Sequence, residues 1–304
     1  MVTNPSLRFK HALVTGATGI VGVPLVHELL SCRVLVSTFT RGVTQVGFPS
    51  KVVNLSGDIA NTNQVIKASE DKDVIFHVAA VKNNSSSSYS EFERINVNGT
   101  KNVITAARTV GARLVYVSTV NVDGFRRGRL FDYYSESKSE AEKLVSKAVD
   151  DGLDAVIVRP AMVFGSVGGR AGLIVDSLLS GGLRVLPAPE RRINPVWSVD
   201  LARALISAAE NGHLGTAYTV AGSTLRTGDF VAQVCEARKL RKPLLSLPAW
   251  LFITPLKLAW WARPITRWQP PISVGTLVGG STYHDYDSAS ELGFSHTSIK
   301  DIFE

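Results

Sequence analysis

From residue 11 to 159, short β-branched runs alternate with amphipathic stretches of ten residues or more. That alternation is the pattern of βαβ units and a parallel sheet. It predicts strands over His11–Thr15, Val34–Thr38, Lys51–Asn54, Asp73–His77, Arg113–Ser118 and Ala155–Arg159. Helices are predicted between them, over Gly22–Leu30, Asn63–Ser69, Phe92–Val110 and Tyr134–Val149. Right-handed crossovers then give an α/β fold with helices on both faces of a doubly wound parallel sheet, and a ligand crevice at the carboxyl ends of its strands. After Pro160 the pattern loosens: glycines and prolines cluster over Gly165–Pro195, a helix is predicted over Val199–Ala209, and a strand over Thr216–Val220. The expected organisation is a Rossmann core over 1–165, rejoined by 196–222. A smaller, mostly helical C-terminal substrate cap is expected from 166–195 and 223–304.

Composition narrows the class. With 33 basic and 26 acidic side chains in 304 residues, the net charge is +7, and 45% of positions are hydrophobic. This excludes a disordered polar or acidic tail protein. Cys32 and Cys235 lie far apart without a CxxC pair, so a reducing compartment is expected rather than a disulfide framework or structural zinc. The six histidines show no HxxxH or HExxH spacing, and no metal is expected. The first ten residues lack the basic start and long apolar core of a signal peptide, which makes a cytoplasmic location the expectation. The first two thirds present no groove-reading basic motif, so no nucleic-acid partner is expected.

Chemistry enters at the end of the first strand. Thr15-Gly16-Ala17-Thr18-Gly19-Ile20-Val21-Gly22 is a GxxGxxG turn opening directly into a helix. Glycine lets the backbone approach a pyrophosphate closely, and a helix N-terminus offers unpaired N–H groups. Dinucleotide binding is therefore expected. A site preferring NAD(H) holds the ribose 2′-hydroxyl with a carboxylate about 20 residues further on. Val34 to Arg41 contains no acid. Arg41, with hydroxyls from Ser37, Thr38 or Thr40, can instead pair with a 2′-phosphate, so NADP(H) is favoured over NAD(H).

Tyr134-Ser-Glu-Ser-Lys138 places a phenol and an ammonium at i and i+4 on one helical face. A nearby cation favours phenolate, so the tyrosine can exchange a proton with a carbonyl or alcohol oxygen. Tyr133 lacks that partner, since Ser137 stands four residues on. The preceding strand delivers Ser118 and Thr119 to the same end of the sheet, where a hydroxyl can bond the reacting oxygen.

These motifs occur together and in order. Thr15–Gly22, Gly57-Asp58-Ile59, Asp73-Val-Ile-Phe-His77-Val-Ala79-Ala80, Asn96-Val-Asn-Gly99-Thr100-Lys-Asn102, Arg159-Pro160-Ala-Met-Val163-Phe-Gly165 and Asp200-Leu-Ala202 jointly resemble the extended short-chain dehydrogenase/reductase family. The resemblance spans residues 11 to about 220 and, more loosely, the tail Tyr286-Asp287 and Glu291-Leu-Gly293-Phe294. It implies a triad of Thr119, Tyr134 and Lys138, with Thr119 found by counting five back from Gly124 and Ser118 as the neighbour able to substitute. It also implies cofactor contacts from Gly16, Thr18, Gly19, Ile20 and Val21 in the turn, and from Arg41, Asp58 and Ile59 beyond it. Ala79, Ala80 and Val81 follow, then Ser118, Tyr134, Lys138, Pro160 and Val163. Only 15 positions separate Thr119 from Tyr134, so the substrate-facing loop is short.

The family includes reductases, epimerases, dehydratases and regulators, so the fold does not choose among them. Dehydratases of this type carry an Asp-Glu pair where Val120 and Asn121 stand. Nucleotide-sugar epimerases usually carry an asparagine where Met162 stands, and an apolar residue there suits an apolar ligand. The subgroup that remains resembles 3β-hydroxysteroid dehydrogenases and dihydroflavonol reductases. Asn121 and Met162 are the expected substrate contacts. Between Arg238 and Trp268 lie seven basic residues (Arg238, Lys239, Arg241, Lys242, Lys257, Arg263, Arg267), no acids, and four of the five tryptophans. Such a segment can line a lipophilic pocket or rest peripherally on a membrane surface. The expected activity is reduction of a ketone or similarly polarised group on a bulky lipophilic small molecule. A nucleotide-sugar epimerase with tightly bound NAD and a non-catalytic dinucleotide-sensing protein are the alternatives. Dimers are common in the resembling family, and a homodimer fits it.

Overall fold

The computed structural model describes residues 7–42, 47–82, 88–128, 132–165, 170–251 and 282–303. Seven parallel strands form its centre: β1 (His11–Thr15), β2 (Leu35–Thr40), β3 (Val53–Ser56), β4 (Val74–His77), β5 (Arg113–Val117), β6 (Ala155–Pro160) and, late in the chain, the strand Ala217–Val220. From one edge to the other, the order is Ala217–Val220, β6, β5, β4, β1, β2, β3. Order therefore reverses between β1 and β4, which pair in register with Thr15 beside His77. A crevice opens at that reversal, above the carboxyl ends of the strands.

Each strand is apolar on both sides because helices cover both faces. One face buries α1 (Gly22–Ser31) and the helix Ser198–Asn211 through Leu25, Leu29, Leu201 and Leu205. The other buries α2 (Thr62–Ser69), the helix Gly99–Val110 and the helix Tyr133–Asp150 through Val65, Val103, Ala141 and Val145.

Many element ends shift by a residue or two from the sequence expectation, and three of the differences have a physical reason. Strands β2 and β3 run about two residues later than predicted. They pair Ser37 with Val53 and Thr40 with Ser56, so their register with each other overrides the local apolar pattern. The single helix predicted over Phe92–Val110 begins as Tyr89–Phe92 and passes through a π-helical turn, Glu93–Asn98, before becoming α-helical. Asn96 lies in that turn, with its amide directed inward.

Among the described residues, the cap combines helices with short paired strands. Its own core joins Phe164, Val175, Leu178, Leu186, Ile193, Phe230, Val234 and Phe303. Beside the helices Arg170–Leu179 and Thr227–Ala237, short strands pair two by two: Val185–Pro187 with Leu245–Leu247, and Arg192–Ile193 with Leu225–Arg226. The cap's assigned range needs correction. Helix Tyr286–Leu292 returns to the sheet domain, where Ser288 Oγ accepts from Thr219 N at 3.0 Å and Leu292 is buried in the main core.

Candidate active site

A cleft of about 1600 Å³ occupies the crevice. Its floor begins at the glycine turn. Gly16 has φ +70, and a Cβ there would lie 2.6 Å from Ala79 N, so both the left-handed backbone and the close approach of β4's exit require glycine. Gly19 N closes the turn on Gly16 O at 3.1 Å, and α1 begins with no side-chain cap. Val23 N already donates to Gly19 O at 3.0 Å and Pro24 has no N–H, so the backbone of the turn and the positive dipole end of the helix are what fit a dinucleotide pyrophosphate. Gly16, Thr18, Gly19, Ile20 and Val21 all line the cleft, as do Arg41, Ile59, Ala79, Ala80 and Val81.

Asp58 stands apart from these lining residues. Its carboxylate takes the Ala60 N–H at 3.0 Å and pairs with Arg94 at 2.8 Å, and these contacts hold it below the usual carboxylate range against the opposing effect of burial. At the end of β2, Thr38 donates its hydroxyl to Asn54 Oδ1 (2.8 Å) and Thr40 donates to Gly42 O (3.0 Å). Those two protons are already committed, which leaves Arg41 as the charge on that wall.

The helix Tyr133–Asp150 starts where Asp132 accepts from both Ser135 N and Ser135 Oγ at 2.9 Å. This cap fixes the first turn, and with it Tyr134, which lines the cleft half-buried. Tyr133 turns the other way, against Tyr89 and Phe92. One turn on, Lys138 is 2% exposed. Its ammonium donates to Val117 O at 2.6 Å and lies 4.2 Å from the centroid of the Tyr116 ring. Burial pushes its pKa down to about 7; Glu142 opposes that shift and Lys82 adds to it.

Ser118 and Thr119 have different surroundings. Thr119 lines the cleft, and its Oγ1 accepts from Asn121 N at 3.3 Å, so its proton is free to be donated to a ligand oxygen. Ser118 donates to Glu142 Oε2 at 2.6 Å. Glu142, 1% exposed, also receives Arg159 (Nε 3.0 Å, Nη2 2.5 Å) and Arg126 (2.9 Å). These contacts hold its carboxyl below the usual range despite burial. The sequence reading missed this clamp. Its signal was an acid at i+4 from Lys138, on the buried side of the same helix.

A second buried network surrounds His77, whose partners the sequence reading did not name. His77 Nδ1 meets Thr15 Oγ1 at 2.8 Å and its Nε2 meets Thr100 Oγ1 at 3.0 Å, while complete burial lowers its pKa to about 3. The imidazole is therefore neutral and structural. Asn96 accepts from Val81 N (2.8 Å) and donates to Val81 O (3.1 Å) and Ser137 Oγ (2.9 Å). It ties the strand exit at Val81 to the helix that carries Tyr134.

Pro160, Val163, Asn121 and Met162 complete the lining named from sequence. Arg127, Arg191, Arg192, Asn194, Tyr283 and His284 join them from the far side and were not anticipated. Asn194 accepts from Tyr283 N at 3.1 Å, and the Tyr283 hydroxyl reaches Val120 O at 3.4 Å, beside Thr119. Among the described residues, no group of three His, Cys, Asp or Glu side chains could hold a metal ion.

Comparison with known proteins shows what the chain is similar to. A sequence model of the 3-beta hydroxysteroid dehydrogenase/isomerase family matches residues 13–222. The chain is 30% identical over 178 residues to the 2-alkyl-3-oxoalkanoate reductase of Shewanella oneidensis, covering 52% of this chain and 46% of that protein. It is 28% identical over 244 residues to an Arabidopsis thaliana 3beta-hydroxysteroid-dehydrogenase/decarboxylase, isoform 2, covering 70% and 43%. It thus spans less than half the length of both. A Stigmatella aurantiaca 4-hydroxy-2-methyl-3-oxo-4-farnesyl-3,4-dihydroquinoline-1-oxide ketoreductase matches end to end, at 25% identity over 308 residues (93% and 91%). Among solved structures, gox2253 superposes with a TM-score of 0.81 at 22% identity over 97% of this chain and 96% of that one. The Bordetella bronchiseptica enzyme WbmH, in complex with NAD+, superposes at 0.72 and 21% over the same shares. At these identities the superpositions establish the shared fold.

Proposed function

The chain belongs to the 3-beta hydroxysteroid dehydrogenase/isomerase family, and from this we propose that it is an NAD(P)-dependent oxidoreductase reducing a ketone, or a similarly polarised group, on a bulky lipophilic small molecule. The observation that carries the reading is the pair of Tyr134 on the cleft wall and the buried cation Lys138 one turn behind it. The relatives' names support it, since a 3-oxoalkanoate reductase, a hydroxysteroid dehydrogenase and a ketoreductase all interconvert carbonyl and alcohol.

When bound, the reduced nicotinamide supplies the hydride for the carbonyl carbon. The glycine turn and the uncapped start of α1 hold the pyrophosphate, with Ala79–Val81 and Pro160–Val163 beside it along the cleft. Tyr134 gives its phenolic proton to the carbonyl oxygen, and Thr119 donates a hydrogen bond that orients that oxygen. Lys138 favours the phenolate left on Tyr134.

NADP(H) is the preferred cofactor in this reading. Arg41 supports it, because no carboxylate stands on β2 to receive a ribose 2′-hydroxyl and a guanidinium forks well onto a phosphate. The test is to purify the protein, analyse any nucleotide carried along, and follow reduced-cofactor absorbance with steroid, polyketide, quinone and flavonoid carbonyls. Ketone-dependent oxidation of exchangeable NADPH, exceeding that of NADH, supports the reading. A stoichiometric, non-exchanging NAD without ketone turnover rejects it in favour of epimerase chemistry.

A peripheral membrane contact is part of the same proposal. Leu244 (87% exposed), Leu245 and Trp250 (64%) project beside exposed Arg238, Lys239, Arg241 and Lys242. Apolar tips ringed by cations suit an anionic interface. The rest of the 238–268 segment, including Trp260, Trp261 and Trp268, lies outside the described residues. Among those residues, no helix is long and apolar enough to cross a membrane. Flotation with anionic vesicles at low salt supports the contact; equal recovery with neutral vesicles removes it.

A further inference from the structure

Cationic side chains line the whole cleft, Arg41 and Lys82 among them. The cofactor half works through backbone N–H groups and Arg41. Beyond Thr119 and Tyr134, three guanidiniums line the wall: Arg127 just past the helix Asn121–Arg126, and Arg191 and Arg192 on the cap. The lining there includes one carboxylate, Asp123, and it is already engaged by Arg159 at 3.4 Å. Neighbouring arginines are spent on an acid: Arg126 and Arg159 on Glu142. Arg127 and Arg192 make no ion pair among the described residues.

The backbone carrying the cap arginines is fixed. Arg191 N donates to Ala188 O at 3.1 Å, and Arg191 O receives both Thr227 N (2.7 Å) and Thr227 Oγ1 (3.1 Å). Two residues beyond Arg192, Asn194 holds Tyr283, whose hydroxyl reaches the carbonyl next to Thr119. The arginine strand is thus linked directly to the wall that carries the reacting oxygen's partner. Arg127 and Arg192 are exposed and carry no carboxylate partner among the described residues, and a neutral, wholly apolar ligand beside them would offer them no contact in place of water. An anionic oxygen group would meet them through forked, charge-assisted hydrogen bonds.

We infer that the substrate is an acidic ketone, bearing a carboxylate or phosphate that Arg127, Arg191 and Arg192 receive while its carbonyl faces Tyr134. This deepens the ketoreductase reading and rests on it only for turnover. The acid group is the specificity determinant, with the lipophilic part of the molecule left to the Met162 side of the cleft.

The experiment compares a medium-chain 3-oxo acid, its methyl ester and an oxoalkyl phosphate of equal chain length as substrates with NADPH. In parallel, calorimetric titration of the cofactor-loaded protein with the 3-hydroxy acid and its ester reads binding without turnover. The anionic compounds are expected to exceed the ester by at least ~10-fold in kcat/KM and in affinity, the size of one charge-assisted contact, with the advantage shrinking as salt rises. Whichever of carboxylate and phosphate has the larger advantage identifies the group. Arg192→Gln and Arg127→Gln should each lower the acid-to-ester ratio several-fold. Arg203→Gln, on the remote helix Ser198–Asn211 and paired with Glu28, should leave the ratio at the parent value. Equal turnover and equal binding of acid and ester overturn the inference and leave the ketoreductase reading intact. Selective binding of the acid with no turnover of any ketone supports the inference and counts against that reading instead.

Discussion

Lys138→Met should make the cofactor-free protein more stable and inactive at once. The lysine is 2% exposed, and burial lowers its pKa from the ordinary 10.5 to about 7. That difference is worth ~5 kcal/mol between charged and neutral forms. Below about pH 7 the folded protein carries the full cost of the buried charge. Between about pH 7 and the unfolded value the unfolded chain binds more protons, so the parent's stability rises with pH, by up to ~1.4 kcal/mol per pH unit. Methionine fills a similar volume without charge but leaves Val117 O without the donor it has at 2.6 Å, a loss of ~1–3 kcal/mol. The variant should therefore exceed the parent by ~2–4 kcal/mol at about pH 6, and the gap should close by ~3 kcal/mol at about pH 9.5. Urea unfolding followed by tryptophan fluorescence at the two pH values measures both numbers. A gap that does not change with pH, or a variant less stable than the parent at about pH 6, refutes the argument that this ammonium is held in the core against its solvation.

Other substitutions separate chemistry from scaffolding. Glu142→Gln breaks a buried ion cluster with Arg159 and Arg126, so unfolding should become easier by ~3–5 kcal/mol. Because Glu142 raises the pKa of Lys138, the alkaline limb of the kcat–pH profile should also move to lower pH; an unmoved limb restricts Glu142 to a structural role. Thr119→Val should cut kcat ~10-fold or more with little change in stability, whereas Ser118→Ala should chiefly reduce stability because its hydroxyl serves Glu142. The reverse pattern in paired kinetics and melting curves would assign the orienting hydroxyl to Ser118. Gly16→Ala sets a Cβ 2.6 Å from Ala79 N on a φ of +70, so ~1–3 kcal/mol of stability and most NADPH affinity should go together in melting and fluorescence titrations. Unchanged affinity would separate the turn from the cofactor.

The sheet was legible because a strand covered on both faces must be apolar throughout, and β1 and β4 to β6 carry that signature nearly to the residue. The turn was legible because few local sequences other than a glycine repeat can turn sharply from strand to helix. Tyr134 and Lys138 were legible as an i, i+4 pair. The clamp of Ser118, Glu142, Arg126 and Arg159 was not, because it joins residues up to 41 positions apart in a polar contact that hydrophobic periodicity does not encode. The π-helical turn at Glu93–Asn98 hides in a sequence whose spacing fits an ordinary helix. The cap's paired strands are two or three residues long, too short to show a period of any kind. Arg192 stands on one of them and Arg191 immediately before it, which explains why the charge of the substrate half emerged only from three-dimensional placement.

The central claim is that the Tyr134 phenol hands a proton to the substrate's carbonyl oxygen. A single-turnover experiment tests it most directly: parent and Tyr134→Phe are loaded with NADPH, mixed with excess ketone, and followed by loss of reduced-cofactor absorbance, with cofactor affinity and melting temperature measured alongside. The account predicts a rate at least ~10²-fold lower in the variant, with affinity and melting temperature at parent values. A variant that oxidises NADPH within about threefold of the parent rate, against the loss expected when a general acid is removed, would contradict it.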